Sequence, residues 1–313
     1  MKHRLLAFLP MIFLLTGFCL TGCDGSSSDS SSETESDSCC DTETASEVIP
    51  TDSETDTGKT ELRGPCSFEN ALGGLIVSVA QSFSSVSGAF ADSVAPSSVP
   101  ELELEDGDCS LWRRRNLSCV PSCKSGFTCD VDGNCITSPV QQDAGTITLD
   151  GLSEPVVVEP LEPTNSYSKV DFNDAAFGAG DVITMTSTGG YFGELTLHGV
   201  GVAPFAVTSL VWSIEAGSPL TVSWETTDGD VDAQIELIMN IDQHGQSPLT
   251  LICEFADTGE ATVSAKLIDA LINSGVSGRP SGRLTRRTVD SMDVAAGCIE
   301  LEISSSLKAT VQL

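Results

Sequence analysis

The sequence predicts an all-β protein in which an antiparallel β-sandwich follows a disordered N-terminal tether and a small disulfide-rich module. Three observations predict this fold class. Short segments that alternate apolar and polar residues follow one another from residue 146 onward, separated by Gly, Asp and Pro. Four cysteines lie within residues 119–135, and residues 24–65 contain few apolar side chains. The expected parts are an opening segment (1–22), a tether (23–65), a β-hairpin and cysteine-rich module (66–140) and a sandwich domain (141–313).

The opening segment has the order of a secretory signal peptide. Lys2 and Arg4 give it a basic start, and residues 5–15 are apolar. This apolar stretch is too short for a comfortable membrane span. The sequence Leu20-Thr21-Gly22-Cys23 then follows it.

Those four residues resemble the lipobox of bacterial lipoproteins, in which a leucine, a small residue and glycine precede a cysteine that receives lipid. The resemblance implies that residues 1–22 are removed and that Cys23 becomes the lipidated first residue. The lipid bilayer is then a partner of the chain, and the expected location is the cell envelope, at the outer membrane or cell surface. The inner membrane is the other option, because Asp24 occupies the position where an aspartate retains some lipoproteins there. An ordinary cleaved signal peptide or a signal anchor is the alternative interpretation.

The tether is acidic and too polar to fold alone. Residues 24–65 contain 12 acidic and 2 basic residues. Such a segment cannot bury enough apolar surface to offset the entropy lost on ordering the chain. Cys39 and Cys40 form a vicinal pair within it, which we interpret either as a cross-link between neighbouring molecules or as incidental thiols.

Charge disfavours nucleic acid as a partner. The chain carries 45 acidic and 15 basic residues, a net charge of −30, and a surface of this sign repels phosphate. Two groups of arginine are the exceptions, and we expect them to lie in solvated loops and to pair with acidic neighbours. They are Arg113, Arg114 and Arg115, and Arg279, Arg283, Arg286 and Arg287.

The module begins with an expected β-hairpin. Residues 75–83 are rich in β-branched side chains, and residues 87–91 are the expected partner strand, which ends before Pro96 and Pro100. The cysteine run after this hairpin is too short to build its own core, so disulfides are the expected staples in an oxidising compartment. Zinc is the competing interpretation, but the run contains no CxxC pair.

The cysteine run is similar to small extracellular knots of the EGF-like kind. That resemblance implies interlaced disulfides, Cys119 with Cys129 and Cys123 with Cys135. Eight cysteines follow the tether and permit four bridges in all, and we expect each of them to be disulfide-bonded. They are Cys66, Cys109, Cys119, Cys123, Cys129, Cys135, Cys253 and Cys298.

The sandwich domain is predicted from seven strand-like segments, and their number and spacing are typical of an immunoglobulin-like architecture. The predicted strands cover residues 146–149, 181–187, 194–198, 220–224, 233–240, 249–255 and 298–304. Residues 264–273 have helical apolar spacing with Gly275 as a stop, which predicts one helix capping an end. Cys253 and Cys298 are candidates for a bridge between strands of the sandwich, although Cys298 shares its phase with Glu300 and Glu302 and therefore needs a bulge or a strand start there.

The sequence offers no catalytic signature. Asp257-Thr258-Gly259 matches the aspartic-protease triplet, but that chemistry needs two carboxylates and the sequence contains no second triplet. We therefore predict a turn at Asp257. His198 and His244, the histidines after the opening segment, are expected to be polar loop or strand-end residues.

One calcium site is considered. Asp228, Asp230 and Asp232 alternate like the start of an EF-hand loop, but Ala233 and Met239 stand where that loop needs Gly and Glu. A looser calcium site at the sandwich edge is the remaining hypothesis for these three aspartates. Otherwise the sequence predicts no metal and no cofactor.

The combined expectation is a non-enzymatic, membrane-anchored lipoprotein that presents a β-sandwich for a structural role or for recognition of a protein or glycan. The layout resembles envelope lipoproteins with a β-rich ectodomain. Two alternatives are carried forward. One is a calcium-dependent adhesion module, and the other is a tethered hydrolase that uses carboxylates such as Asp257 or Asp228.

Overall fold

The computed structural model describes residues 61–80, 83–170, 176–206, 210–226, 231–241, 248–276 and 279–313. Residues 57–313 form one compact unit, called the body below. Its described residues form 18 strands, one α-helix, α1 (Ala265–Asn273), and a short 3-10 helix over Pro96–Ser98. The strands in chain order are β1 (Ala71–Ala80), β2 (Phe83–Phe90), β3 (Glu101–Asp106), β4 (Cys109–Arg113), β5 (Phe127–Cys129), β6 (Cys135–Thr137), β7 (Ile147–Asp150), β8 (Val156–Val158), β9 (Tyr167–Val170), β10 (Val182–Ser187), β11 (Thr196–Val200), β12 (Leu210–Ser213), β13 (Leu220–Ser223), β14 (Gln234–Asn240), β15 (Leu249–Ala256), β16 (Glu260–Val263), β17 (Ser281–Val294) and β18 (Gly297–Gln312).

The strands form one large sheet and three small ones. The large sheet has ten strands in the order β3-β4-β15-β14-β17-β18-β1-β2-β9, with β12 also paired to β18. A four-stranded sheet has the order β11-β10-β7-β8, and the pairs β13-β16 and β5-β6 complete the set. The sheets are antiparallel except that β1 and β12 each run parallel to β18. The expected all-β class is confirmed, and the two parallel pairs are a departure from the purely antiparallel prediction.

The first core lies between the four-stranded sheet and one half of the large sheet. Leu149, Met185 and Leu197 of the small sheet pack with Leu75 and Leu301 of the large one, and all five are fully buried. Each such side chain contributes about 2 kcal/mol when removed from water. This layer of two facing sheets is the predicted sandwich.

The second core lies at the other half of the large sheet. Leu237 and Leu251 pack there with the small β13-β16 sheet and with α1, which contributes Leu267, Ile268 and Leu271. These three residues lie on one side of the helix because their spacing is helical. The helix predicted over 264–273 is present as α1, and the Ser264 side chain caps its start by accepting a hydrogen bond from the Leu267 backbone N–H.

The long hairpin of β17 and β18 joins the two cores. Along β18, Leu301 and Ile303 belong to the first core, whereas Leu307, Ala309 and Val311 belong to the second. All five share one face because strand side chains alternate with a period of two. The hairpin is therefore common to both halves of the body.

The predicted elements and the structure differ mainly in how the parts are joined. The hairpin expected over 75–91 is present as β1 and β2, paired antiparallel. However, β1 to β4 lie in the same sheet as β14, β15, β17 and β18, so the expected boundary at residue 140 separates strands that share one sheet. The sequence prediction also omitted β17, which forms the centre of that sheet.

Candidate functional site

Four disulfides hold the body together, and they use the eight cysteines expected to be bridged. The pairs are Cys66–Cys298, Cys109–Cys253, Cys119–Cys129 and Cys123–Cys135. The last two are the interlaced pairs that the EGF-like resemblance implied. The first two link residues 232 and 144 positions apart, and so join early residues of the body to late strands.

The suggested bridge between Cys253 and Cys298 is wrong. Cys253 of β15 lies directly opposite Cys109 of β4 in the strand register, on the face that enters the second core. Cys298, at the start of β18, lies on the same side of the strand as Glu300, and it forms its disulfide with Cys66. The phase conflict noted in the sequence therefore reflects two separate bridges.

The cysteine run forms a small knot, defined here as residues 114–140. Within it, β5 and β6 are two three-residue strands of one hairpin, and the sulfur atoms of Cys119, Cys123 and Cys135 lie within 4.8 Å of one another. Close sulfur atoms of this kind are a geometry that metal ions use. Each of these sulfurs is already bonded to another sulfur, so in this oxidation state they are staples and not thiolate ligands.

A row of polar residues on β17 separates the two cores. Arg286, Thr288 and Asp290 share the inner face of the strand, and each is buried. We call this row the polar seam. Buried polar groups are costly unless they are hydrogen-bonded, so their partners decide whether the seam stabilises the body.

Arg286 is the most buried charge of the seam, with a side chain only 1% exposed. Its Nε lies 2.7 Å from Asp257 Oδ2 and its Nη1 lies 3.0 Å from the Ala203 carbonyl oxygen. Its guanidinium also stacks 4.6 Å from the centre of the Phe205 ring. Asp257 also accepts a hydrogen bond from Trp224 Nε1 at 2.6 Å. The carboxylate of the Asp-Thr-Gly triplet is thus committed to an ion pair that holds the fold.

Asp290 is held by partners from two directions. The Arg63 backbone N–H, Nε and Nη2 donate to its carboxylate at 2.8 to 3.1 Å, and the His198 backbone N–H donates at 2.9 Å. Burial alone would raise the pKa of Asp290, but these hydrogen bonds outweigh it and lower the pKa below the usual carboxyl range. The Thr288 hydroxyl accepts a hydrogen bond from the Val200 backbone N–H and donates one to the Val200 carbonyl oxygen. The seam therefore also satisfies backbone groups of β11.

A second charged cluster lies on the opposite face of β17. Arg287 pairs with Glu236 at 2.9 Å, with Glu254 at 2.7 Å and with Glu302 at 3.4 Å. Burial raises the pKa of Glu236, while Arg287 and Arg283 oppose that shift. The arginines of this region do pair with acidic neighbours, as expected, but Arg286 and Arg287 are enclosed strand residues and not the solvated loop residues that the sequence suggested.

The structure describes only some of the other residues that the sequence analysis singled out. His198 lies in β11, and its Nδ1 is 3.2 Å from the Thr184 hydroxyl, so it is a strand residue and not a loop residue. Asp232 is exposed two residues before β14. Six other candidates lie outside the described residues, namely Asp228, Asp230, His244, the vicinal pair Cys39 and Cys40, and the lipidation candidate Cys23. Arg63 and Asp290 were missed because a single buried ion pair between distant residues leaves no local pattern.

The described part of the chain contains no helix with the length and apolar character of a membrane span.

Comparison with known proteins identifies no family. No family model matches the chain, and no curated protein matches it either. Among solved structures, the chain is similar to the crystal structure of chicken CNTN1 FN1-FN3 domains at 8% identity. That alignment covers 77% of this chain and 99% of the other, with a TM-score of 0.18. A TM-score this low supports no conclusion about function.

Proposed function

We propose that the chain is a non-enzymatic lipoprotein of the bacterial cell envelope. Lipid on Cys23 anchors it, the acidic tether that precedes the body spaces the body from the bilayer, and the disulfide-bonded body is presented outside the cytoplasm, at the outer membrane or cell surface. Its role is structural or is the recognition of a protein or glycan.

The observation that carries this proposal is the complete pairing of the eight cysteines in the body. Disulfides persist in oxidising compartments and are rare in the cytosol. This pairing supports an exported protein, and it agrees with the signal-like opening segment and the lipobox resemblance around Cys23.

The proposed non-enzymatic role is supported by how the buried carboxylates are used. Asp257 is bonded to Arg286 and Trp224, and Asp290 to Arg63 and His198. An acid or base in catalysis needs a proton that it can exchange with a substrate. Asp257 instead neutralises the buried Arg286, and Asp290 pairs with Arg63 and accepts hydrogen bonds from backbone N–H groups.

The test is metabolic labelling of the full chain with a radioactive or alkyne-bearing palmitate in a bacterial host, followed by fractionation. We expect the wild-type chain to carry label and to sediment with membranes, and Cys23→Ser to lose both properties. The double variant Cys39→Ser with Cys40→Ser is the matched control, because it removes two thiols of the same segment, and it should keep the label. An unlabelled wild-type chain, or a Cys23→Ser variant that still carries label, would refute the anchor.

A further inference from the structure

The four cysteines of the knot come together as two pairs. Cys119 and Cys123 are separated by three residues in the chain. Cys129 of β5 and Cys135 of β6 lie directly opposite each other in the hairpin. Each disulfide of the knot joins one cysteine of the first pair to one cysteine of the second. The local chain geometry, and not only the disulfides, therefore brings the two members of each pair close together.

The hairpin has a turn that does not depend on the disulfides. The Asp130 carboxylate accepts hydrogen bonds from the backbone N–H groups of Asp132 and Asn134 at 2.9 and 2.7 Å. The Asp130 backbone N–H in turn donates to the Asn134 carbonyl oxygen at 2.9 Å. An aspartate that binds the backbone two residues further on favours a turn locally. The turn therefore keeps Cys129 and Cys135 side by side, with their Cβ atoms about 5 Å apart.

The sulfur atoms are close to the arrangement of a metal site. Those of Cys119, Cys123 and Cys135 lie within 4.8 Å of one another. The sulfur of Cys129 is bonded to that of Cys119, so the fourth sulfur lies beside the other three. Four thiolates that bind zinc at about 2.3 Å in a tetrahedron have their sulfurs about 3.8 Å apart. Once both bridges are open, rotation of the side chains can bring the four sulfurs to these distances.

The spacing along the chain also suits zinc. The knot lacks a CxxC pair, but structural zinc sites accept two to four residues between paired ligands, and Cys119 and Cys123 have three. Thiolates select soft or borderline ions such as zinc over calcium or magnesium. From Cys66 onward the chain has 33 acidic and 11 basic residues, a net charge of −22, and this charge attracts divalent cations to the body.

A reduced knot needs a replacement for its bridges. Its larger apolar side chains are exposed, with Val120 96%, Phe127 48% and Val131 57% exposed. Segments this small fold only with disulfides, a metal or an equivalent staple. The knot sulfurs are also accessible, because Cys135 is exposed. A metal that binds the reduced knot therefore supplies folding free energy that the segment otherwise lacks.

We propose that the knot is a redox-dependent zinc site, in which its four cysteines coordinate one ion once both bridges are reduced. Two molecules of a dithiol reductant supply four electrons and four protons, and each becomes a disulfide. Zinc then displaces the four thiol protons and forms four sulfur–zinc bonds. In the reverse direction, two disulfide oxidants accept four electrons and four protons from solution, the two knot bridges form again, and the ion is released.

The site does not rest on the proposed lipid anchor. Oxidising compartments keep the bridges closed, so the metal form belongs to copies of the chain that meet a reductant. The two forms share the same four sulfurs and exclude each other. The knot thus has one staple for each oxidation state, and zinc occupancy reports which state is present.

The test is a titration of the body, residues 57–313, with cobalt(II) chloride before and after reduction by a trialkylphosphine. These residues form one compact unit with both cores and all four disulfides, and they exclude Cys23, so a failure of lipidation does not affect the result. The phosphine takes oxygen from water to form its oxide and adds no thiol. Thiolate-to-cobalt charge transfer and the visible bands of tetrahedral cobalt are recorded.

We expect the reduced wild-type body to bind one cobalt ion with a tetrahedral thiolate spectrum, and one equivalent of zinc to displace it. The oxidised body should show neither band, because its sulfurs are not thiolates. Binding should tighten as pH rises, since the thiols must lose their protons.

Paired substitutions locate the site. Cys123→Ser with Cys135→Ser should lose the four-thiolate spectrum after reduction, and Cys119→Ser with Cys129→Ser should do the same. Cys66→Ser with Cys298→Ser is the matched control, because it removes one bridge and two thiols outside the knot, and it should keep the spectrum. Among the described residues, those of the two cores all lie outside the knot, so the knot variants should stay folded, which circular dichroism checks.

Three results would overturn the proposal. One is a reduced wild-type body that gives no tetrahedral thiolate spectrum. Another is an equal spectrum from the reduced wild type and from either knot variant, which would place the cobalt on other thiols. The third is the same spectrum from the oxidised body, which would show that the bound ion does not need the knot thiolates.

Discussion

At the residue scale, the energetics of the body depend on charges that are buried in the centre of a sheet. Arg286 is enclosed between the two cores, and its charge is balanced by Asp257. A buried ion pair of this kind adds little compared with an apolar core, but removing one partner leaves an uncompensated charge. The seam therefore makes the body intolerant of substitutions that would be mild on the surface.

The first prediction concerns Asp257. We expect Asp257→Ala to lower the free energy of unfolding by about 3–5 kcal/mol, because Arg286 then remains charged and buried without its carboxylate. Denaturant unfolding of the body measures this. Glu103→Ala is the control, since its pair with Arg113 is partly exposed and should cost less than about 1 kcal/mol. Equal losses for the two variants would contradict the structural role of Asp257.

The second prediction concerns the pH dependence of the Asp290 contribution. The pKa of Asp290 is lowered in the folded body, so its stabilising effect is fully present above the unfolded value of about 3.9 and is lost as pH falls through the lowered pKa. Asp290→Asn should therefore cost about 1–3 kcal/mol at pH 7 and progressively less in acid. Unfolding measured at pH 7 and near pH 3 checks this, and a cost that does not change with pH would contradict it.

The contribution of Glu236 to stability depends on pH with the opposite sign. Burial raises the pKa of Glu236, so its contribution is most favourable below the unfolded value and is lost as pH rises through the raised pKa. We expect Glu236→Gln to be as stable as the wild type or more stable at pH 7, because Arg287 retains Glu254 and Glu302. The difference should shrink as pH falls. A marked loss of stability at pH 7 would show that the ion pair outweighs burial.

The sequence could not place these residues. Ser281 to Val294 reads as a polar segment because Arg286, Thr288 and Asp290 point inward while Arg283 and Arg287 occupy the other face. Strand prediction relies on apolar residues at every second position, and here both faces carry charge. By contrast, residues 233–240 and 249–255 alternate cleanly, and the structure has β14 and β15 there.

At the scale of elements, the knot differs from the rest of the body in how its disulfides are protected. Cys109 and Cys253 are 2% and 0% exposed and belong to the second core, whereas Cys135 of the knot is exposed. The knot has no core of its own, so its own residues do little to shield its bridges from solvent thiols. Its four cysteines lie close together in the sequence, and their resemblance to an EGF-like knot implied their pairing, whereas Cys66 and Cys298 are 232 residues apart and carry no such resemblance.

The third prediction follows from that difference. Under limiting dithiothreitol without denaturant, Cys119–Cys129 and Cys123–Cys135 should open before Cys109–Cys253. Because three knot sulfurs lie within 4.8 Å, a thiolate freed from one knot bridge can attack the other, so rearranged knot pairs should appear among the products. Differential alkylation and peptide mapping detect both effects. Reduction of Cys109–Cys253 first would contradict the account.

At the scale of the whole molecule, the two cores are coupled through one hairpin. Both cores use side chains of β18, and β17 carries the seam between them. Several strands that build each core were predicted from the sequence, but their union in one sheet was not. It depends on the parallel pairing of β1 with β18, which joins residues more than 200 positions apart.

The fourth prediction is that the body unfolds in a single transition. Leu149→Ala in the first core and Leu251→Ala in the second should each lower the stability of the whole body by about 2–5 kcal/mol. Both should move one common calorimetric transition, because neither half retains its core without the shared hairpin. Two separate transitions, each sensitive to one substitution only, would show that the halves fold independently.

The proposed function requires that the chain is exported and that its body is held by four specific disulfides. Peptide mapping under non-reducing conditions, with free thiols blocked at lysis, tests it on the full chain isolated from a bacterial envelope. The account predicts Cys66–Cys298, Cys109–Cys253, Cys119–Cys129 and Cys123–Cys135 as the bridges of the body. Recovery of these eight cysteines mainly as blocked free thiols would contradict it.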